Sequence, residues 1–223
     1  MTPLHKTALA GFAATAVVLT FSPVLEGGWV WDDRYILASG SALDAPLKLL
    51  TEDSMAPASQ VATDVYRPLS MLSYLPRHLL GFGAGAAHAV SLFFHVCALF
   101  LCVGISRRLG AGGALPWLVG LMAVLHPGVS EAVCWLSGRQ DLLPGLLVLA
   151  AWLSWLKGRG LLAGGLLALT PFCKESYLLV PLLALIWMWG DDRKDHGLLW
   201  PAVLGPVVYL ALRESLGISF PAG

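Results

Sequence analysis

Charged side chains are scarce in this sequence, and four short clusters of them stand next to long apolar runs. The first cluster holds two adjacent carboxylates, Asp32 and Asp33, directly after Trp31. Adjacent carboxylates can divide the work of a general base and an orienting group. They could also bind a divalent cation through their oxygens. The alternative interpretation is an aromatic belt followed by a solvated acidic turn.

Two further clusters place cations beside prolines. Arg67 precedes Pro68 at the start of an apolar stretch, and Lys174 and Glu175 follow Pro171 between two apolar runs. A guanidinium can bind a phosphate through two parallel hydrogen bonds. Snorkelling of Arg67 to lipid headgroups and a local pair between Lys174 and Glu175 are the structural alternatives.

The fourth cluster lies in residues 126–141 and contains His126, Glu131, Arg139 and Asp141. If residues 129–136 form a short helix, Glu131 and Trp135 share one face, because they are four residues apart. Such donors and acceptors at a membrane edge suit a phosphate or a sugar. The alternative is a polar cap in which Arg139 pairs with Asp141 or with Glu131.

The composition predicts the elements that must position these clusters. Of 223 residues, 57% are hydrophobic and 13% are charged, which is about half the charge of an ordinary soluble domain. We therefore predict an all-α, polytopic membrane protein, since its apolar runs are continuous and do not alternate. About seven transmembrane helices are expected, at 7–25, 86–106, 114–126, 141–156, 160–173, 177–190 and 197–212.

Loop charges and loop lengths predict the organisation of this membrane domain. Lys and Arg residues in the short loops favour a cytoplasmic N-terminus, which puts all four clusters on the outer side. Residues 1–223 are expected to form a single membrane domain, with extracytoplasmic loops at 26–85 and 126–141. Amphipathic stretches at 43–55 and 66–82 predict interfacial helices in the long first loop. The net charge of zero gives no electrostatic reason to expect nucleic acid.

The clusters in this order resemble the GT-C membrane glycosyltransferases. The likeness is greatest to the transmembrane, TPR-repeat-containing O-mannosyltransferases and their bacterial relatives. It covers residues 10–213 and rests on Val30-Trp31-Asp32-Asp33, Tyr66-Arg67-Pro68-Leu69, Leu125-His126-Pro127, Glu131-Ala132-Val133 with Trp135, Ser137-Gly138-Arg139-Gln140-Asp141 and Lys174-Glu175.

The resemblance implies an inverting, metal-independent transfer of a sugar, mannose, from a polyprenyl-phosphate donor to an acceptor hydroxyl. Asp32 would be the base and Asp33 its partner, so no metal or other cofactor is expected. Arg67 would contact the lipid phosphate, and Arg139 and Lys174 would be further phosphate or sugar contacts.

The resemblance gives no individual role to His126, Glu131 and Asp141, which match family positions, and Glu175 completes the last motif. No TPR-like period of about 34 residues follows the spans. The chain therefore looks like the family core alone, and a partner subunit could supply the rest. The implied acceptor is a protein Ser or Thr, or a glycan, at the outer face of a bacterial inner membrane.

The alternative function is a non-catalytic polyprenyl-phosphate binder or a flippase-like protein. Such a protein would need Arg67, Arg139 and Lys174 but not Asp32. A solute transporter is disfavoured, because the ionisable residues gather at one membrane edge rather than at mid-depth.

Overall fold

The described part of the chain is helical. The computed structural model describes residues 2–34, 43–54, 64–190 and 199–218. Those ranges contain no β-strand, so the all-α prediction is confirmed for them. Their α-helices are α1 Pro3–Phe21, α2 Pro68–Leu72, α3 Leu75–Leu79, α4 Ala84–Arg108, α5 Leu115–Val124, α6 Ser130–Cys134, α7 Arg139–Leu156, α8 Gly160–Ala168, α9 Val180–Trp189 and α10 Trp200–Ser215. Short 3-10 helices lie at Ser22–Glu26, Lys48–Leu50, Pro127–Val129, Thr170–Phe172 and Glu175–Tyr177.

Two helical segments are long and apolar enough to cross a membrane. They are Leu4–Glu26, of 23 residues, and Ala84–Arg108, of 25 residues. A third span is available if Leu115–Val124 and Pro127–Cys134, which meet at a bend of 53°, count as one. The other predicted spans each overlap a helix, but those helices are shorter or, like α7, begin with polar residues. The described residues thus give two or three candidate spans rather than a clear seven.

Prolines account for the short helices. Proline disfavours helical backbone in the residue before it and cannot donate a backbone hydrogen bond. Pro127 stands just beyond the end of α5, and Pro171 stands just beyond the end of α8. At these two places an α-helix is followed by a 3-10 turn, Pro127–Val129 after α5 and Thr170–Phe172 after α8.

The long helices pack side by side. α1 contacts α4 and α5, α4 contacts α7, and α8 contacts both α7 and α10. Buried residues of α1, α4 and α5 form the largest apolar cluster, and residues of α7, α8 and α10 form another. Large apolar side chains remain exposed on the outer faces, among them Phe12, Leu19 and Phe93. Exposed apolar surface on this scale is typical of a protein that contacts lipid.

In the described part of the first loop, only the second of the two predicted interfacial stretches is helical. Residues 43–54 contain only the 3-10 turn Lys48–Leu50, so the predicted helix at 43–55 is wrong for the part that is described. Leu43 and Leu49 are buried in one cluster with Met71 and Tyr74. Met55 lies outside the described residues.

The second predicted interfacial stretch, 66–82, forms the two short helices α2 and α3. Tyr66 and Met71 are buried in the protein, whereas Leu79 and Leu80 are exposed. Tyr66 donates a hydrogen bond to the carbonyl of Leu50 at 2.9 Å, which ties this stretch to the first half of the loop. The first half of the stretch, as far as Tyr74, is therefore packed inside the protein, whereas most of its last residues are exposed.

Candidate active site

One turn of the chain joins the four sequence clusters. Residues 137–141, the 137–141 turn, lead from α6 into α7, and three of their side chains, those of Ser137, Gln140 and Asp141, contact the other clusters. Gly138 makes this turn feasible, because a Cβ there would lie 2.6 Å from the carbonyl oxygen of Glu131. Any larger residue would push the start of α7 away from α6.

Asp33 anchors the end of the first apolar helix to the 137–141 turn. Its side chain is fully buried. One carboxylate oxygen accepts hydrogen bonds from the backbone N–H of Ser137 at 2.9 Å and from its hydroxyl at 2.6 Å. The other oxygen accepts from the backbone N–H of Val30 at 3.2 Å. A carboxylate so enclosed holds two segments together and is not open to a substrate.

Asp32, in contrast, is exposed. It lines an open cavity of about 660 Å³ together with Val30, Trp31, Arg34 and Trp135. The two indole rings meet edge to face with their centroids 5.7 Å apart. Trp31 has a φ of 47°, a left-handed conformation that costs free energy in a non-glycine residue and is often found at functional sites. The acidic pair therefore divides into one buried anchor and one accessible carboxylate.

Arg67 is held by Glu175 and by the 137–141 turn. Its Nε donates to one oxygen of Glu175 at 2.7 Å, and a terminal nitrogen donates to the other oxygen. Its remaining terminal nitrogen donates to the side-chain oxygen of Gln140. Burial raises the pKa of Glu175, but the hydrogen bonds and the charge of Arg67 outweigh that effect, so the pKa lies below its ordinary value.

Lys174 pairs with Asp141 rather than with its neighbour Glu175. Its ammonium lies 2.8 and 2.7 Å from the two carboxylate oxygens of Asp141. The Asp141 side chain is 42% exposed and that of Lys174 is 27% exposed. The structure thus replaces the local Lys174–Glu175 pair with two ion pairs, Lys174 with Asp141 and Glu175 with Arg67.

Arg139 is buried, with 1% of its surface exposed. Its donors bind the hydroxyl of Ser91 at 3.0 Å, the carbonyl of Ser73 at 3.0 Å and the carbonyl of Ala87. The guanidinium also stacks 4.1 Å above the ring of Tyr74. It forms no ion pair with Asp141 or Glu131 within the described residues. This arrangement favours a positioning role over the direct substrate contact that the sequence predicted.

His126 and Glu131 lie apart from these contacts. Both side chains are exposed, and the ring Nδ1 of His126 accepts a hydrogen bond from the backbone N–H of Gly128 at 3.0 Å. Glu131 lies in α6, the short helix expected between residues 129 and 136, but it makes no side-chain contact with the other clusters in the described ranges.

An apolar cleft of about 570 Å³ lies beside the charged turn. It runs between α4, α7 and the bent segment from α5 to α6. Asp141 and Tyr177 bring polar atoms to a lining that is otherwise mainly apolar and includes Ala98, Val129 and Leu146. The cleft therefore places a charged end next to a space suited to a hydrocarbon chain.

The sequence interpretation missed three residues of this site. Ser137 and Gln140 lie in one of the motifs that carry the family resemblance. They were not predicted as site residues, because only the charged residues of that motif were taken as candidates. No sequence pattern indicates Tyr74. Its hydroxyl donates a hydrogen bond to the carbonyl of Leu136, which is distant in sequence, so the contact appears only in the folded structure. Among the described residues, no group of three or more His, Cys, Asp and Glu side chains could hold a metal ion.

The fold and the site define an all-helical protein with apolar helices and a charged cluster around the start of one of them. Protein O-mannosyl-transferase Tmtc1 of Drosophila melanogaster is 34% identical over 163 residues, which are 67% of this chain and 18% of that protein. Protein O-mannosyl-transferase TMTC1 of Homo sapiens is 30% identical over 159 residues, 68% of this chain and 18% of the relative. TMTC3 of Homo sapiens is 29% identical over 171 residues, 69% of this chain and 18% of the relative.

The chain is thus related to the TMTC protein O-mannosyl-transferases, as its motifs predicted. It spans less than a fifth of the length of the curated relatives that it matches. No protein-family model matches the chain, and no solved structure matches it significantly.

Proposed function

We propose that this chain is a GT-C type glycosyltransferase that moves mannose from a polyprenyl-phosphate donor to an acceptor hydroxyl. The acceptor would be a protein Ser or Thr, or a glycan, at the extracytoplasmic face. One observation carries the proposal: the 137–141 turn binds Asp33, the neighbour of the exposed Asp32, and it contacts Arg67 and Lys174 beside an apolar cleft. The names of the related proteins support mannose transfer.

Asp32 is the proposed base. Its exposure in the tryptophan-lined cavity gives an acceptor hydroxyl access to the carboxylate. The carboxylate takes the hydroxyl proton as the oxygen forms its bond to the anomeric carbon. The bond between that carbon and the phosphate oxygen breaks, and the lipid phosphate leaves with the bonding electrons. Asp33 supports this step by fixing the backbone that carries Asp32, and the reaction needs no cofactor.

Arg67 and Lys174 are the proposed phosphate contacts. Both are partly exposed and held in place by carboxylates, Arg67 by Glu175 and Lys174 by Asp141. A donor phosphate would share or replace these partners, and its developing charge would be stabilised by preorganised cations. The isoprenoid chain would occupy the apolar cleft next to Asp141.

The remaining site residues have supporting roles in this proposal. Arg139 positions the turn by binding α4, at Ala87 and Ser91, and the segment between α2 and α3, at Ser73. His126 and Glu131 are exposed beside the cleft-lining residues Gly128, Val129 and Ala132, so we assign them to substrate binding at the membrane edge.

The proposal includes a membrane arrangement beyond the two or three spans found by length. The shorter helices α7 to α10 would complete about seven crossings by burying their ends against neighbouring protein or in thinned bilayer. The N-terminus would be cytoplasmic, and the membrane would be a bacterial inner membrane. A partner subunit or a further segment would contribute to acceptor binding.

The test is photocrosslinking of a polyprenyl-phosphate-mannose analogue to the full chain in membranes, followed by a transfer assay. Saturable labelling should fall about tenfold or more in Arg67→Ala and Lys174→Ala, because each variant removes a charge-assisted contact. It should persist in Asp32→Asn and in Lys48→Ala, a control that removes an exposed cation from the same loop.

Labelling of Arg67→Ala and Lys174→Ala at the wild-type level would contradict the proposed donor site. Labelling without mannose transfer to any Ser- or Thr-containing acceptor would favour the alternative of a non-catalytic lipid binder. Transfer that Asp32→Asn abolishes, with labelling intact, would support the enzyme.

A further inference from the structure

A second charged cavity lies at the other end of the helix bundle. Its volume is about 260 Å³, and its lining combines α1, the end of α4 and the loop into α5, namely Lys6, Arg107, Ala111, Gly112, Gly113 and Pro116. The 3-10 helix Ser22–Glu26 that follows α1 meets the start of α4, since the carbonyl oxygen of Leu25 lies 2.7 Å from where a Cβ of Gly85 would be. α1 and α4 are therefore antiparallel, and this cavity lies at the opposite end from Asp32.

Two cations from different helices face this cavity. Neither Lys6 nor Arg107 forms an ion pair with a carboxylate in the part of the chain that the structure describes. The guanidinium of Arg107 lies 5.1 Å from the centre of the Trp117 ring. Stacking of this kind fixes the guanidinium plane while leaving its N–H donors available for an anion.

The backbone adds further donors. Gly112 and Gly113 line the cavity, and their N–H groups donate no hydrogen bond to the described residues. Only Ala114 separates them from α5, a helix of ten residues, whose N-terminus favours a bound anion. No carboxylate is among the lining residues. The cavity thus presents cations and free N–H groups without a compensating negative charge.

Apolar surface adjoins these donors. Leu109, Leu115 and Leu118 are 58%, 51% and 56% exposed, and Leu109 and Leu115 bracket the lining loop. A free phosphate ion would gain nothing from such neighbours. A phospholipid would, because its acyl chains can cover the leucines while its phosphate occupies the charged space.

We propose that this cavity binds the phosphate of an anionic phospholipid in the leaflet opposite the candidate active site. Lys6 and Arg107 neutralise the headgroup, and the Gly112–Gly113 N–H groups complete its hydrogen bonds. The lipid then joins the ends of α1, α4 and α5, the three helices that share the largest apolar cluster.

The test is native mass spectrometry of the purified full chain titrated with phosphatidylglycerol or with phosphatidylcholine of the same acyl chains. Wild type should retain phosphatidylglycerol at least tenfold more tightly. Lys6→Gln with Arg107→Gln should lose about tenfold of that preference, as expected for two removed surface cations. The matched control is Lys157→Gln with Arg159→Gln, which removes two exposed cations from the α7–α8 loop. This control should keep the preference.

The single variant Lys6→Gln covers the case in which the double variant fails to fold, because Lys6 is exposed. It should reduce the preference by about threefold, in line with one surface cation. Equal losses in both double variants would overturn the proposal, since charge alone would then explain the binding. Equal retention of the two lipids, or displacement of phosphatidylglycerol by millimolar inorganic phosphate, would overturn the lipid assignment.

Discussion

Replacing Asp33 by alanine should destabilise the protein far more than the same change at Asp32. The Asp33 carboxylate accepts three hydrogen bonds, two of them from the buried Ser137. Each buried donor left without a partner costs about 1–3 kcal/mol. The Ser137 hydroxyl can rotate, and the Val30 N–H lies next to an exposed side chain, so we expect a total loss of about 2–4 kcal/mol.

The assay is thermal unfolding of the purified variants in detergent. A loss of 2–4 kcal/mol corresponds to a fall in Tm of about 5–15 °C for a chain of this size. Asp33→Asn should lower Tm less than Asp33→Ala does, because the amide oxygen still accepts hydrogen bonds from Ser137 and only the hydrogen bond from Val30 is lost. Asp32→Ala is the matched control and should leave Tm unchanged, since its side chain is exposed. Equal Tm values for Asp32→Ala and Asp33→Ala would refute the division of the acidic pair.

Three further predictions concern helix packing, pH and the phosphate contact. Gly205→Ala should lower stability by about 1–3 kcal/mol through overpacking, because its Cβ would lie 2.4 Å from the Cα of Ala168. The control Gly165→Ala, which has open space around it, should leave stability unchanged. Equal effects of the two variants in thermal unfolding would contradict the close helix contact. The lowered pKa of Glu175 means that its ionised form stabilises the fold above an unfolded pKa of about 4.3, and that this contribution is lost as the pH falls through the folded pKa. The Tm advantage of wild type over Glu175→Gln should therefore persist from pH 7 to 5 and shrink as the pH falls further into the acidic range, and an advantage that is independent of pH would refute the ion pair. Arg67→Lys should lower donor labelling about tenfold, because an ammonium cannot reproduce the planar donor fork; unchanged labelling would exclude a bidentate contact.

The helical class and the approximate positions of the long helices could be predicted from the sequence, because continuous apolar runs determine both. The number of spans could not, because hydropathy counts apolar runs that form helices too short to cross a membrane on their own. Pro171, for example, interrupts the run predicted as one span at 160–173, so α8 ends at Ala168. The interfacial helix at 43–55 failed for a different reason: Leu43 and Leu49 are buried by tertiary packing, which a helical periodicity cannot express.

The candidate site could be predicted as a set of residues but not as a set of partners. Motif order indicated that Asp33, Arg67, Arg139 and Lys174 matter, and the 137–141 turn does bring their contacts together. Neighbours in sequence suggested local ion pairs, whereas the long-range pairs Arg67–Glu175 and Lys174–Asp141 form instead. Asp33 is buried whereas Asp32 is exposed, and Arg139 is buried whereas Arg67 and Lys174 are partly exposed. Tertiary contacts determine whether a polar residue is buried, so the sequence did not predict these differences.

The most direct test of the account is mannose transfer from a polyprenyl-phosphate donor to a Ser- or Thr-containing peptide in membranes that contain the chain. Asp32→Asn should reduce the rate about 100-fold or more, as expected for loss of a general base, while thermal stability and donor labelling stay at the wild-type level. Glu52→Gln, which alters an exposed carboxylate of the same loop, should transfer at the wild-type rate. Transfer that survives Asp32→Asn undiminished would contradict the assignment of Asp32 as the base.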